Sequence, residues 1–136
     1  MRKLLFSFVF LGFVTSGYTQ STSNESLSLQ ACQADTIVFS FDITSPYNIG
    51  NTFSVEMSDA SGNFTGNFVS TNALLAYGVS VGNEIDVLIP DNTTQGVYKF
   101  RMISSNPVAI SDTISNVIIG ANPETAITAF NWFDKA

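Results

Sequence analysis

The 136-residue chain has no histidine and a single cysteine, Cys32. The first absence removes the commonest general base and an imidazole metal ligand, so neither a Ser–His nor a Cys–His nucleophile pair can form. The second removes any internal disulfide. Positive charge is also scarce: five Lys and Arg stand against eleven Asp and Glu, a formal net charge of −6. A nucleic acid needs a basic face to neutralise its phosphates, and an anionic membrane surface needs the same, so both are excluded as partners. No segment of helical length repeats its apolar residues with a period near 3.6, which excludes a sizeable helix. The length allows one domain and no second core.

What is present begins with Arg2-Lys3, an uncharged apolar run over residues 4–14, and a small, polar exit over 15–20. That order is a secretory leader, and the run is shorter than the roughly 20 residues that span a bilayer. Cleavage after Thr19 places Gly17 and Thr19 at the two small-residue positions; cleavage after Gly17 suits nearly as well. Loss of residues 1–19 removes Arg2 and Lys3 and leaves Lys99, Arg101 and Lys135 against eleven acidic residues, a net of −8. The expectation is an exported protein, at the cell surface, extracellular or periplasmic, with no membrane-spanning segment once the leader is gone. Leu29-Gln30-Ala31-Cys32 loosely resembles a lipoprotein box, but polar residues 15–28 separate it from the apolar run. Cys32 is therefore read as a small, partly buried strand residue.

Hydrophobic periodicity organises the remainder. Residues 20–25 form a polar lead-in, and Leu27, Leu29 and Ala31 then alternate with polar neighbours. Ile37, Phe39, Phe41 and Ile43 alternate over the clearest strand. Phe53, Val55 and Met57 do the same, with Ser54, Glu56 and Ser58 expected to face water. Asp59-Ala60-Ser61-Gly62-Asn63 is a turn. Two short strands are expected over 64–70 and 73–77. Ile85, Val87 and Ile89 alternate up to Pro90, residues 97–104 form a further strand, and β-branched residues 114–119 form the last, stopped by Gly120. About seven short strands with turns every 8–12 residues predict an all-β, antiparallel two-sheet sandwich over 26–120. Its predicted core is Ile37, Phe39, Phe41, Phe53, Val55, Ile85, Val87, Tyr98 and Phe100.

The succession from Phe53 to Pro107 runs strand, Ser-Asp-Ala-Ser-Gly-Asn turn, strands, acidic turn and tyrosine strand. It resembles the immunoglobulin-like domains repeated in secreted surface proteins of Bacteroidota. Within it Gly96-Val97-Tyr98-Lys99-Phe100 is similar to the Gly-x-Tyr-x-Cys run of immunoglobulin domains, with Phe100 where the second cysteine would stand. The resemblance implies a structural role for Gly96, Tyr98 and Phe100. The Tyr98 ring would be buried with its hydroxyl bonded back into residues 91–94, and Phe100 would replace the disulfide with aromatic bulk. The family usually occurs as tandem repeats, whereas this chain holds one such domain.

Residues for chemistry are sparse. The carboxylates are scattered, and Glu84 with Asp86 on one exposed strand face does not supply the facing pair of a glycosidase. Asp59 to Asn63 and Asp91-Asn92-Thr93 offer oxygens without calcium-loop spacing, so self-capping turns explain them better. Asn24-Glu25-Ser26, Asn63-Phe64-Thr65 and Asn92-Thr93-Thr94 fit Asn-x-Ser/Thr, at a frequency expected by chance in so Asn-, Ser- and Thr-rich a chain. Asp35-Thr36-Ile37 and Asp112-Thr113-Ile114 resemble the Bacteroidota Asp-Thr-aliphatic O-glycosylation motif and also read as plain strand starts.

The expectation is thus a non-catalytic interaction or structural module of the bacterial envelope or surface, serving adhesion or assembly, without a cofactor or bound metal. Its partner would be a protein or a second copy; the apolar tail 121–136 either adds an extra edge strand to its own sandwich or pairs with the edge of a neighbouring molecule, with Phe130, Trp132 and Phe133 as the candidate contacts. The alternative is a carbohydrate-binding domain using the loop aromatics Tyr47, Phe64, Tyr77 and Trp132.

Overall fold

A computed structural model describes residues 20–122. Residues 1–19, the expected leader, and residues 123–136, with Phe130, Trp132 and Phe133, lie outside the described residues.

Among the described residues, nine strands form two sheets packed face to face. The three-stranded sheet runs β1 (Thr22–Ser26), β3 (Thr36–Ile43), β6 (Ser80–Leu88). The six-stranded sheet has the order β2 (Gln30–Cys32), β9 (Ile114–Gly120), β7 (Gly96–Ser105), β4 (Thr52–Met57), β5 (Leu74–Leu75), with β8 (Val108–Ile110) also on β7. Every pairing is antiparallel except that of β2 with β9, which is parallel. The expected count of about seven, all antiparallel, becomes nine: the lead-in and the segment after Pro107 add β1 and β8, neither of which was expected. The Ser-rich lead-in makes β1 on β3, and the chain then crosses to place β2 beside β9. Composition hid β1, since an edge strand can be held by its backbone ladder with few apolar side chains.

Alternation decides which residues meet between the layers. Phe39, Phe41 and Ile43 from β3 and Ile85 and Val87 from β6 face Phe53, Val55, Met57, Tyr98, Phe100, Met102, Val117 and Ile119 from the larger sheet; all are buried. Ile37, expected in the core, is half-buried at its margin. The Phe41 and Phe53 rings meet across the layers at 5.1 Å, and Tyr47 continues the aromatic chain 4.9 Å from Phe53 in an edge-on contact. Such pairs add roughly 0.5–1.5 kcal/mol beyond their buried area.

Residues 64–77 are not two regular strands. They contain two isolated bridges and the two-residue β5. The segment instead closes one side of the sandwich. Val69 N–H donates to Val55 O of the larger sheet at 3.0 Å, while Val69 O accepts from Leu88 N of the smaller at 2.9 Å. A residue serving both layers cannot belong to a regular ladder in either. Sequence alternation also passed over Asn51, which is fully buried. Its Oδ1 accepts from Ser105 N and Asn106 N, and its Nδ2 donates to Ala76 O, so one side chain joins two connections at that end.

Candidate interaction surface

The two outer faces differ in charge and polarity. On the three-stranded sheet, Val38 pairs with Asp86 and Ser40 with Glu84, and Asp42 continues the same side of β3. Asp42 accepts from Asn24 Nδ2 and Gly82 N–H, both at 2.7 Å, and the Asn24 bond above all holds its carboxyl below the usual range. These groups are solvated strand-face carboxylates. Asn24, in one of the Asn-x-Ser/Thr triplets, thus has its amide engaged with Asp42.

The six-stranded sheet carries Lys99 and Arg101, the described chain's two cations, among apolar residues. Glu56 was expected to face water, and it does leave the core face, yet it is only 2 % exposed. Segment 59–70 folds over it. Its Oε1 accepts from Gly66 N at 2.6 Å, and Oε2 accepts from Arg101 Nε and Nη2, both at 2.8 Å. Phe64 covers the other side of the guanidinium, 4.0 Å from ring centroid to Cζ, a cation–π contact. The turn that starts this cover caps itself: Asp59 Oδ1 accepts from Ser61 N at 2.9 Å and Asn63 N at 2.8 Å. Among the described residues, no buried side-chain polar atom lacks a partner.

Beyond Arg101 the same face becomes apolar. Ser54 pairs with Ile103, which pairs with Ile110, while Ser105 pairs with Val108 and Thr52 with Leu75. Small Thr52, Ser54 and Ser105 form the floor of a groove walled by Phe68 on one side and Ile103 and Val108 on the other. Phe68 is 54 % exposed and Val108 74 %. At the opposite end of β7, Val97 and Ile118 form a second exposed apolar pair. Sequence reading missed this surface because β8 follows the Asn106-Pro107 turn unannounced; the period-two pair Val108 and Ile110 was its available signal.

The residues singled out from sequence do not gather in one site. Tyr98 is buried, and its hydroxyl donates to Thr94 O at 2.7 Å, linking strand β7 to the loop before it; Gly96 starts β7, and Phe100 lies fully within the core. Cys32 is partly buried in β2. Of the loop aromatics, Tyr47 is unavailable to a sugar. It is buried against Phe53, and burial raises the pKa of its hydroxyl above the ordinary value. Phe64 is engaged with Arg101, and Tyr77 alone of the described set is freely exposed. A partly open cleft of about 190 Å³ has Tyr47, Phe53, Met102 and Ser104 on its inner side and Ser21 and Asp112 at its mouth.

Compared with models of protein families, with curated proteins and with solved structures, the chain matches none.

Proposed function

We propose that this chain is an exported, non-catalytic interaction module of immunoglobulin-like kind, acting at a bacterial surface or in the envelope as an adhesion or assembly subunit. The observation that carries the reading is the outer face of the six-stranded sheet, where Phe68 and Val108 are exposed on either side of one groove and Leu75 and Ile110 are exposed on β5 and β8. Clustered apolar surface of this kind marks binding sites in folded proteins. Immunoglobulin-like identity draws support from the strand orders β1-β3-β6 and β2-β9-β7-β4 and from the Tyr98–Thr94 bond. Export and the Bacteroidota relationship rest on the leader-like residues 1–19 and on the resemblance of residues 53–107. The carbohydrate alternative retains Tyr77 and Trp132.

Affinity purification from the native envelope tests the proposal. The intact chain should retain a protein partner, and a chain ending at Asn122 should fold yet lose it. Retention of a glycan that depends on Tyr77, with no protein partner, would favour the alternative. Recovery of the chain alone would count against both.

A further inference from the structure

Alternation sends apolar side chains inward over most of this sandwich, and along residues 76–81 it is inverted. Ala76 and Ser80 are half-buried, while Tyr77, Val79 and Val81 are exposed, Val81 at 81 %. A one-residue slip would exchange the two sets, but backbone bonds pin the segment at both ends. Tyr47 N–H donates to Tyr77 O at 2.7 Å and Ala76 N–H to Asn51 O at 3.2 Å, which also sets the loop carrying the exposed Ile49 beside it. At the other end Gly82 N–H donates to Asp42 Oδ1 at 2.7 Å, and Asn83 Nδ2 to Phe41 O at 3.3 Å. The apolar groups therefore stand in water on a fixed frame. We infer that this strip is where two copies of the chain meet, related by a twofold axis at Gly78. The inference goes beyond the proposed partner binding: none of Ile49, Tyr77, Val79 and Val81 lines the groove, and no foreign protein is needed.

Charge selects the occupant. The chain carries a net charge of −6, yet no residue is charged from 43 to 55 or from 60 to 83. Two acidic copies repel over much of their surfaces, and here they can approach without setting carboxylate against carboxylate; Asp42 and Glu84 stand only at the β6 end. A basic foreign partner would find no carboxylate in the strip itself.

Symmetry and size agree. Tyr77 and Val79 flank Gly78, so a twofold axis there sets Tyr77 of each copy against Val79 of the other, the self-complementary pattern of an isologous contact. Gly78 has open space where a Cβ would stand, so the two backbones can close on one another at the axis. At ordinary side-chain areas the four exposed residues offer roughly 500 Å² per copy, about 1,000 Å² in all, the size of a weak, reversible association.

Sedimentation equilibrium of the purified full chain should show its mass rising from one chain toward two between about 10 μM and about 1 mM, the range that such an area implies. Added salt should strengthen the association, because it screens repulsion between acidic copies and the strip has no ion pair to lose. Val79→Asp and Ile49→Asp should each weaken it by on the order of tenfold or more, since each sets two like charges in an apolar contact. Val108→Asp in the groove and Val38→Asp on the opposite sheet should not, and far-UV circular dichroism should be unchanged in all four. Gly78→Cys in a Cys32→Ser background should form a disulfide between copies when oxidised with copper–phenanthroline, because a residue on a twofold axis meets its own counterpart. A single-chain mass across the whole range would overturn the inference. So would a dimer indifferent to both strip substitutions, or one dispersed by Val108→Asp, which would assign self-association to the groove. No foreign partner is present in these measurements, so their failure is distinct from failure of the co-purification experiment.

Discussion

Glu56 and Arg101 face each other across β4 and β7, register partners joined by two 2.8 Å contacts to one carboxylate oxygen. The pair is lopsided: the Glu56 side chain is 2 % exposed and that of Arg101 24 %. Whichever partner is deleted, the other responds differently. A lone Arg101 can turn toward water, whereas a lone Glu56 stays beneath the 59–70 cover with Gly66 N–H as its remaining donor.

Arg101→Met, which keeps the stem under Phe64, should therefore cost about 3 kcal/mol, the lower end of what breaking a buried pair costs. Glu56→Gln should cost about 1–2 kcal/mol, because its amide oxygen still accepts from Gly66. The double variant should lose less than the two singles combined. Urea denaturation of all three gives the coupling. An Arg101→Met cost under about 0.5 kcal/mol would place the pair among ordinary surface ion pairs and refute its structural importance.

Tyr98 presents a simpler test. Its ring is buried and its hydroxyl meets Thr94 O at 2.7 Å, at an exposed residue. Tyr98→Phe retains the packing and frees a carbonyl that water can reach, so the loss should be the net value of one hydrogen bond, about 1 kcal/mol. For a domain near 100 residues that lowers the thermal midpoint by about 4–8 °C. An unchanged midpoint would mean that the corner contributes nothing to stability.

Period-two alternation made β3, β4 and β6 legible, since each has one face on the core; β-branched residues marked β9, and the acidic turn with the Gly-Val-Tyr run marked β7 and the loop that Tyr98 reaches. Four features escaped. Strand β1 is built of Thr, Ser, Asn and Glu, so its pairing to β3 leaves no hydrophobic signature. Glu56 occupies an outward position in its strand, and alternation cannot foresee that a later segment will cover that side. Asn51 sits among the Asn and Gly of a loop, and only the three-dimensional meeting of residues 76, 105 and 106 makes it a buried tie. The groove escaped for a related reason: its walls come from residues 68, 103 and 108, which share no local pattern.

The turn at Asp59 predicts a pH dependence. Its Oδ1 accepts backbone N–H groups from Ser61 and Asn63, and the Asn63 bond chiefly holds the carboxyl below its usual range. In the unfolded chain the group titrates near its ordinary value, about 3.9. A depressed folded value means that the ionised turn stabilises the fold at all pH above that ordinary value, and that the contribution disappears as pH falls through the folded one. Asp59→Asn keeps a side-chain acceptor but removes the charge that strengthens both bonds. It should therefore be less stable than the unaltered protein at pH 7, with the gap unchanged at pH 5 and closing below pH 4. Comparing the two proteins, rather than following one, cancels most of the acid response shared by the other carboxylates, including Asp42. Denaturant midpoints at pH 7, 5 and 3 measure the gap. If it stays constant to pH 3, the Asp59 carboxylate is not stabilised by its turn, and the cover over Glu56 must draw its stability from elsewhere.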